Sequence, residues 1–216
     1  MTALTDFDAA FERLPLIAIL RGVQPTEVDA IGDALVDAGF TLIEVPLNSP
    51  DALDSITRLA QRFAGRAVIG AGTVLTEAQV TAVRAASGTM IISPNTNPGV
   101  IAASAAAGLV SLPGIATPSE AFAAIEAGAT ALKLFPAEGA SPGVLKAMRA
   151  VLPRDMRVLP VGGISPDNMA TWHQAGAAGF GIGSALYSPG LAPDDVAVRA
   201  STFRRAWEAL SGDTQA

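Results

Sequence analysis

Lys133 and Glu44 each stand inside a short apolar run, Ala131-Leu132-Lys133-Leu134-Phe135-Pro136 and Leu42-Ile43-Glu44-Val45-Pro46-Leu47. Such runs read as buried strands, where an ionised group is unfavourable unless it is paired or neutralised. The 216-residue chain carries two lysines, Lys133 and Lys146, against twelve arginines, so a lysine within a strand is not one of many solvated surface charges. A buried lysine sheds its proton readily and becomes a nucleophile, which arginine does not. Glu44 is the one carboxylate in the middle of a predicted strand. An amine and a carboxylate together are the parts of a covalent, acid–base site. The alternative is a structural ion pair, but a buried pair generally does no better than break even in stability, and perturbed groups concentrate at active sites.

The elements that must position these residues repeat along the chain. After a short amphipathic helix predicted over Asp6–Leu14, apolar strand-like runs alternate with helix-like ones in eight cycles. The predicted strands are Leu16–Leu20, Leu42–Leu47, Ala67–Gly72, Met90–Ser93, Leu109–Leu112, Ala131–Phe135, Val158–Val161 and Gly179–Ile182. Helical spacing covers Glu27–Ala38, Pro50–Phe63, Glu77–Ala86 and a last segment near Asp194–Leu210, after which the tail from Ser211 is expected to fray. Ala-Gly pairs at 38–39, 107–108, 127–128 and 175–176 suit left-handed turns at helix ends. Thr76-Glu77, Thr117-Pro118-Ser119-Glu120 and Ser165-Pro166-Asp167 read as helix starts. Alternating strand and helix predicts a parallel sheet with helices outside. Eight units in this length fit a single-domain α/β protein, a (β/α)8 TIM barrel with a short N-terminal helix, its core spanning about residues 14–210 of the one domain 1–216; an open doubly wound sheet is the alternative.

Strand side chains alternate between faces. Leu132 and Leu134 must meet helices, which turns Ala131, Lys133 and Phe135 inward; Ile43, Val45 and Leu47 likewise turn Leu42, Glu44 and Pro46 inward. Both ionic groups therefore belong to one barrel interior, and the site belongs at the C-terminal ends of the strands. Arg21 ends the first strand, well placed to meet an anion. Thr73 follows Gly70-Ala71-Gly72, and Pro94 follows Ser93. Val161-Gly162-Gly163 and Gly181-Ile182-Gly183-Ser184 end the seventh and eighth strands, and the former leads into a predicted helix start. Glycine-rich ends there, with a helix N-terminus beside them, make the recurrent phosphate site of barrels. Glu138 is close enough to the mouth to reach it and receives no role. His173, the one histidine, reads as a packing or surface residue beside Trp172.

Composition narrows the partners. The chain has no cysteine, which removes disulfides and thiolate metal ligands. A net charge of −6 argues against nucleic acid. No apolar stretch approaches the roughly 20 residues that span a bilayer, and the N-terminus lacks the pattern of a secretory signal. A cytoplasmic location, with no membrane partner, is expected.

Ile43-Glu44-Val45-Pro46-Leu47-Asn48, Gly70-Ala71-Gly72-Thr73-Val74-Leu75, Ser93-Pro94, Lys133-Leu134-Phe135-Pro136-Ala137 and Val161-Gly162-Gly163-Ile164 together resemble the KDPG/KHG aldolase family, from about Leu14 to the final helix. The resemblance implies a class I aldolase on a (β/α)8 barrel, usually a homotrimer, that needs no cofactor beyond a covalent Schiff base on Lys133. It implies Glu44 as general acid/base, and Arg21 and Thr73 at the substrate carboxylate. Pro94, Phe135 and Val161 would shape the pocket, and Gly162, Gly163, Gly183 and Ser184 would hold the phosphate. The substrate class it implies is a phosphorylated keto-deoxy sugar acid, cleaved to pyruvate and D-glyceraldehyde 3-phosphate. Asn48, Val161 and the run Leu16–Gly22 resemble the galactonate-type members; the gluconate-type epimer, the KHG substrate or dual specificity is the alternative. The rival classes are a metal-dependent pyruvate lyase, which needs a carboxylate or histidine cluster, a phosphate-binding barrel isomerase or decarboxylase, and a non-catalytic sugar-phosphate sensor. None of these requires a reactive Lys133.

Overall fold

The computed structural model describes residues 2–212, with side chains through Leu210. Its strands are β1 (Leu16–Ile19), β2 (Leu42–Pro46), β3 (Val68–Gly72), β4 (Met90–Ile92), β5 (Val110–Leu112), β6 (Gly114–Ile115), β7 (Leu132–Leu134), β8 (Val158–Pro160) and β9 (Phe180–Ile182). All pair in parallel, in the orders β5-β4-β3-β2-β1-β9 and β6-β7-β8. β5 and β6 are two halves of one barrel strand interrupted by Pro113, which has no N–H to give a ladder. The seventh segment bridges that interruption: Thr130 N–H donates to Ser111 C=O at 2.9 Å and Lys133 N–H to Pro113 C=O at 2.9 Å. A bridge between Val161 and Gly181 joins β8 to β9 and closes the ring. The barrel is therefore the expected eight-stranded one, with its fifth strand running past the predicted end at Leu112.

The helices are α1 (Ala3–Arg13), α2 (Val28–Asp37), α3 (Ala52–Arg62), α4 (Glu77–Ala85), α5 (Pro98–Ala106), α6 (Pro118–Glu126), α7 (Pro142–Arg149), α8 (Met169–Gln174) and α9 (Pro193–Gly212). Capping explains several boundaries. Thr2 accepts from Thr5 N–H, so α1 begins three residues before the predicted Asp6. Thr76 with Gln79 and Thr117 with Glu120 form reciprocal capping boxes at α4 and α6. The four Ala-Gly glycines, Gly39, Gly108, Gly128 and Gly176, have φ of 99°, 71°, 98° and 101°, as left-handed helix ends require. The Ser165 start differs from expectation. Ser165 N–H donates to Asn168 Oδ1 at 3.0 Å, which makes a turn, and α8 starts only at Met169. The end of α9 reaches Gly212, so Ser211 is helical; the remainder of the expected frayed tail lies outside the described residues.

Two hydrophobic layers result. Leu132, Leu134, Ile43 and Val45 pack outward under the helices. Ile17, Leu42, Val68, Met90, Ile92, Leu112, Ala131 and Leu159 fill the barrel, and Phe7, Ala10 and Phe11 of α1 join them from the N-terminal end as a plug. Leu14, which follows α1, packs in the outer layer. Arg157 pairs with Asp8 and lies 4.7 Å over the Phe11 ring, holding the plug in place. Truncation of a buried phenylalanine such as Phe7 typically costs about 3–5 kcal/mol.

Candidate active site

β2 and β7 deliver Glu44 and Lys133 to the interior, as side-chain alternation requires. The two are 1% and 6% exposed, and they line one small chamber with Ile17, Ile19, Ile92, Leu112, Leu159, Val161 and Gly181. The chamber is otherwise aliphatic, so both charged forms are poorly solvated. Burial pushes the Lys133 amine below its ordinary value; Glu44 acts against that shift and Arg21 adds to it. Burial pushes the Glu44 carboxyl up, with Lys133 and Arg21 acting against it. Burial thus disfavours the charged form of each group, and the attraction between the two charges offsets part of that penalty. Glu44 Oε2 is buried with no hydrogen-bond partner among the described residues. Lys133 Nζ sits 4.7 Å from the centre of the Phe135 ring. An amine and a carboxyl group sharing one aliphatic chamber suit addition to a carbonyl with proton transfer alongside.

Backbone economy lets Glu44 occupy this position. A Cβ on Gly72 would come within 2.8 Å of the Glu44 carboxyl carbon, so only glycine leaves room there. Thr73 follows at φ 58°, a left-handed conformation unusual for a β-branched residue and of the kind found at functional sites. Ser93 Oγ donates to Val74 C=O at 2.7 Å and ties the ends of β3 and β4 together, next to Pro94.

Above the chamber a cleft of about 670 Å³ opens at the C-terminal ends of the strands. Arg21, Phe135, Glu138, Val161, Gly162, Gly163, Gly183 and Ser184 line it, and it shares Ile19, Val161 and Gly181 with the chamber. Val161 therefore stands at the neck. Arg21 is exposed, and its Nη1 donates to Asn48 Oδ1 at 2.8 Å, which aims the guanidinium across the mouth. Of the sequence-predicted residues, nine line the chamber or the cleft: Lys133, Glu44, Arg21, Phe135, Val161, Gly162, Gly163, Gly183 and Ser184. Thr73 and Pro94 line neither and are half-buried at the ends of β3 and β4. The expected helix N-terminus beside Gly162 and Gly163 is displaced to Met169 by the Ser165–Asn168 turn.

Tyr187 lines the candidate site without having been singled out in the sequence. It is buried, lines the cleft, and its hydroxyl donates to Glu27 at 2.7 Å, joining the loop after β9 to the start of α2. Burial, with Glu27 beside it, pushes its pKa up. Its being the lone tyrosine of the chain was the available signal. A further cavity, about 220 Å³, lies at the opposite end between α1 and α3 and includes neither Lys133 nor Glu44. His173 packs edge-on against Trp207, with ring centroids 5.2 Å apart. No cluster of three potential metal-ligating side chains occurs among the described residues.

Comparisons with known proteins agree with this fold. The family profile "KDPG and KHG aldolase" matches residues 7–199. The 2-dehydro-3-deoxy-6-phosphogalactonate aldolase of Escherichia coli (strain K12) is 46% identical over 195 residues, covering 90% of this chain and 95% of that protein. The solved native KDPGal structure superposes with a TM-score of 0.91 at 44% identity, covering 93% of this chain and 97% of that one. The KDPG aldolase of Legionella pneumophila, solved with pyruvate captured at low pH as a covalent carbinolamine intermediate, has a TM-score of 0.76 at 28% identity, covering 94% of this chain and 96% of that one. By sequence and by fold alike, the chain belongs to the KDPG and KHG aldolase family.

Proposed function

We infer that the chain is a class I aldolase, a carbon–carbon lyase that cleaves 2-dehydro-3-deoxy-6-phospho-D-galactonate to pyruvate and D-glyceraldehyde 3-phosphate. The observation that carries the chemistry is the Lys133 amine, 6% exposed, sharing an aliphatic chamber with Glu44. The galactonate-type substrate is supported by the 46% identity to the E. coli enzyme and by the 44% identity to the KDPGal structure.

In this reading, Lys133 Nζ adds to the C2 carbonyl, and the carbinolamine hydroxyl leaves as water with a proton from Glu44, giving an iminium ion and the Glu44 carboxylate. The C3–C4 bond then breaks, and its electron pair passes through C2 to the iminium nitrogen, giving an enamine. The C4 hydroxyl proton passes to Glu44 as the aldehyde forms. Glu44 returns a proton to C3, and water releases pyruvate and the free amine. Arg21 and Thr73 hold the carboxylate end, while Pro94, Phe135 and Val161 shape the wall around C4. Gly162, Gly163, Gly183 and Ser184 hold the phosphate. This sequence of steps calls on no metal, so activity resistant to EDTA belongs to the same reading. A homotrimer in the cytoplasm is also part of it; a monomeric sedimentation profile would remove the trimer.

Pyruvate release from the two C4-epimeric phosphorylated acids, side by side, tests the assignment. Faster release from the galactonate epimer is expected, and a preference for the gluconate epimer would reassign the substrate. Borohydride reduction with pyruvate should leave an adduct that maps to Lys133. An active preparation left unmodified at Lys133 would end the Schiff-base reading.

A further inference from the structure

Glu138 lies across the two glycines that the proposed function gives to the phosphate. A Cβ on Gly162 would approach the Glu138 carboxyl carbon to 2.7 Å, and one on Gly163 would approach its Cγ to 2.9 Å. Both glycines have positive φ, 112° and 63°. The backbones on either side are held. Ala137 N–H donates to Val161 C=O at 2.9 Å, which fixes the 3-10 turn Ala137–Gly139 against the end of β8. Asn168 Nδ2 donates to Gly163 C=O at 2.8 Å and secures the glycine turn from the other side. Glu138 is exposed, lines the cleft, and takes part in none of the ion pairs among the described residues. The backbone is anchored and the side chain is free to swing into solvent.

We propose that Glu138 is a built-in occupant of the phosphate cradle, one that makes the cradle selective for a phosphoryl group carried on an anchored substrate over free inorganic phosphate. The inference rests on the cradle assignment made above. A free anion must displace, or sit beside, a carboxylate whose attachment to the chain keeps its local concentration high. Like charges at that range oppose it. A phosphate whose C2 end already sits at Lys133 is tethered too, so it competes on equal terms and drives the carboxylate outward. The device works as selection against the wrong ligand, not as added affinity for the right one. It suits a site that would otherwise be open to every phosphate in its surroundings.

Calorimetric titration of the full chain with inorganic phosphate is the test, comparing wild type, Glu138→Gln and Glu138→Ala. Alongside it, KM is measured for the phosphorylated substrate and its unphosphorylated analogue. Phosphate should bind about tenfold more tightly to both variants than to wild type, because each removes the competing charge. Equal or weaker phosphate binding by the variants, while wild type still prefers the phosphorylated substrate, overturns the role of Glu138 and leaves the cradle standing. A wild type indifferent to the phosphoryl group overturns the cradle assignment and this inference with it. Glu138 is exposed, so both variants are expected to fold.

Discussion

The carboxylate of Glu44 lies against the Cα of Gly72 on the neighbouring strand, and a Cβ there would come within 2.8 Å of the Glu44 carboxyl carbon. In the β2–β3 ladder Gly72 stands opposite Pro46, two residues beyond Glu44. Gly72→Ala therefore displaces the proposed acid/base group without touching the proposed nucleophile. Turnover should fall by about 10²-fold or more, the scale of losing a positioned acid or base. Borohydride trapping of pyruvate at Lys133 should survive. An alanine variant that keeps full turnover would show that the carboxylate need not stand there.

Removing Glu44 and removing Arg21 should move the Lys133 titration in opposite directions. Burial lowers that pKa, the Glu44 charge raises it and the Arg21 charge lowers it. Glu44→Gln thus lets the amine lose its proton at lower pH, and Arg21→Met makes it hold the proton to higher pH. The pH dependence of the trapping rate reads both. Shifts of the same sign in the two variants would contradict the electrostatic arrangement.

The buried pair should weaken the fold relative to an apolar substitute. Lys133→Met combined with Glu44→Met removes both desolvated groups at similar volume, and such replacements are neutral or stabilising by about 1–4 kcal/mol. Denaturant unfolding of the inactive double variant against wild type measures it. A large loss of stability would mean that the pair is structural.

Tyr187→Phe removes the hydroxyl that ties the Gly183–Ser184 loop to Glu27. A hydrogen bond to a charged group contributes about 1.5–3 kcal/mol, so the melting temperature should drop. KM for the phosphorylated substrate should rise more than kcat falls. A kcat loss at unchanged KM would point away from a loop-positioning role.

Most of the placement of the candidate site was legible in the sequence because strand alternation is a hard constraint. Lys133 and Glu44 face inward for the same reason that Leu132, Leu134, Ile43 and Val45 face outward, and the structure keeps both sets. The misses came where side chains override pattern. Pro113 hides the continuation of the fifth strand, because only the pairing of β7 to both halves reveals it. Ser165 looks like a helix cap but is taken up by the Asn168 side chain. Tyr187 and Glu27 are 160 positions apart, and no local spacing joins them. The roles given to Thr73 and Pro94 came from motif resemblance; neither lines the chamber or the cleft, and their own side-chain chemistry did not call for those roles.

Phe7 and Phe11 stopper the barrel at its N-terminal end, which turns the interior into a blind-ended vessel with one mouth. On the proposed chemistry the pyruvate half is bound at the bottom, to Lys133, and the aldehyde half lies between it and the opening. Whatever is deepest must leave last. The plug thereby imposes a queue: glyceraldehyde 3-phosphate departs first, pyruvate second, and in the synthetic direction the order of arrival is reversed. Product-inhibition patterns would then carry the imprint of a helix that lies at the far end of the barrel from the mouth.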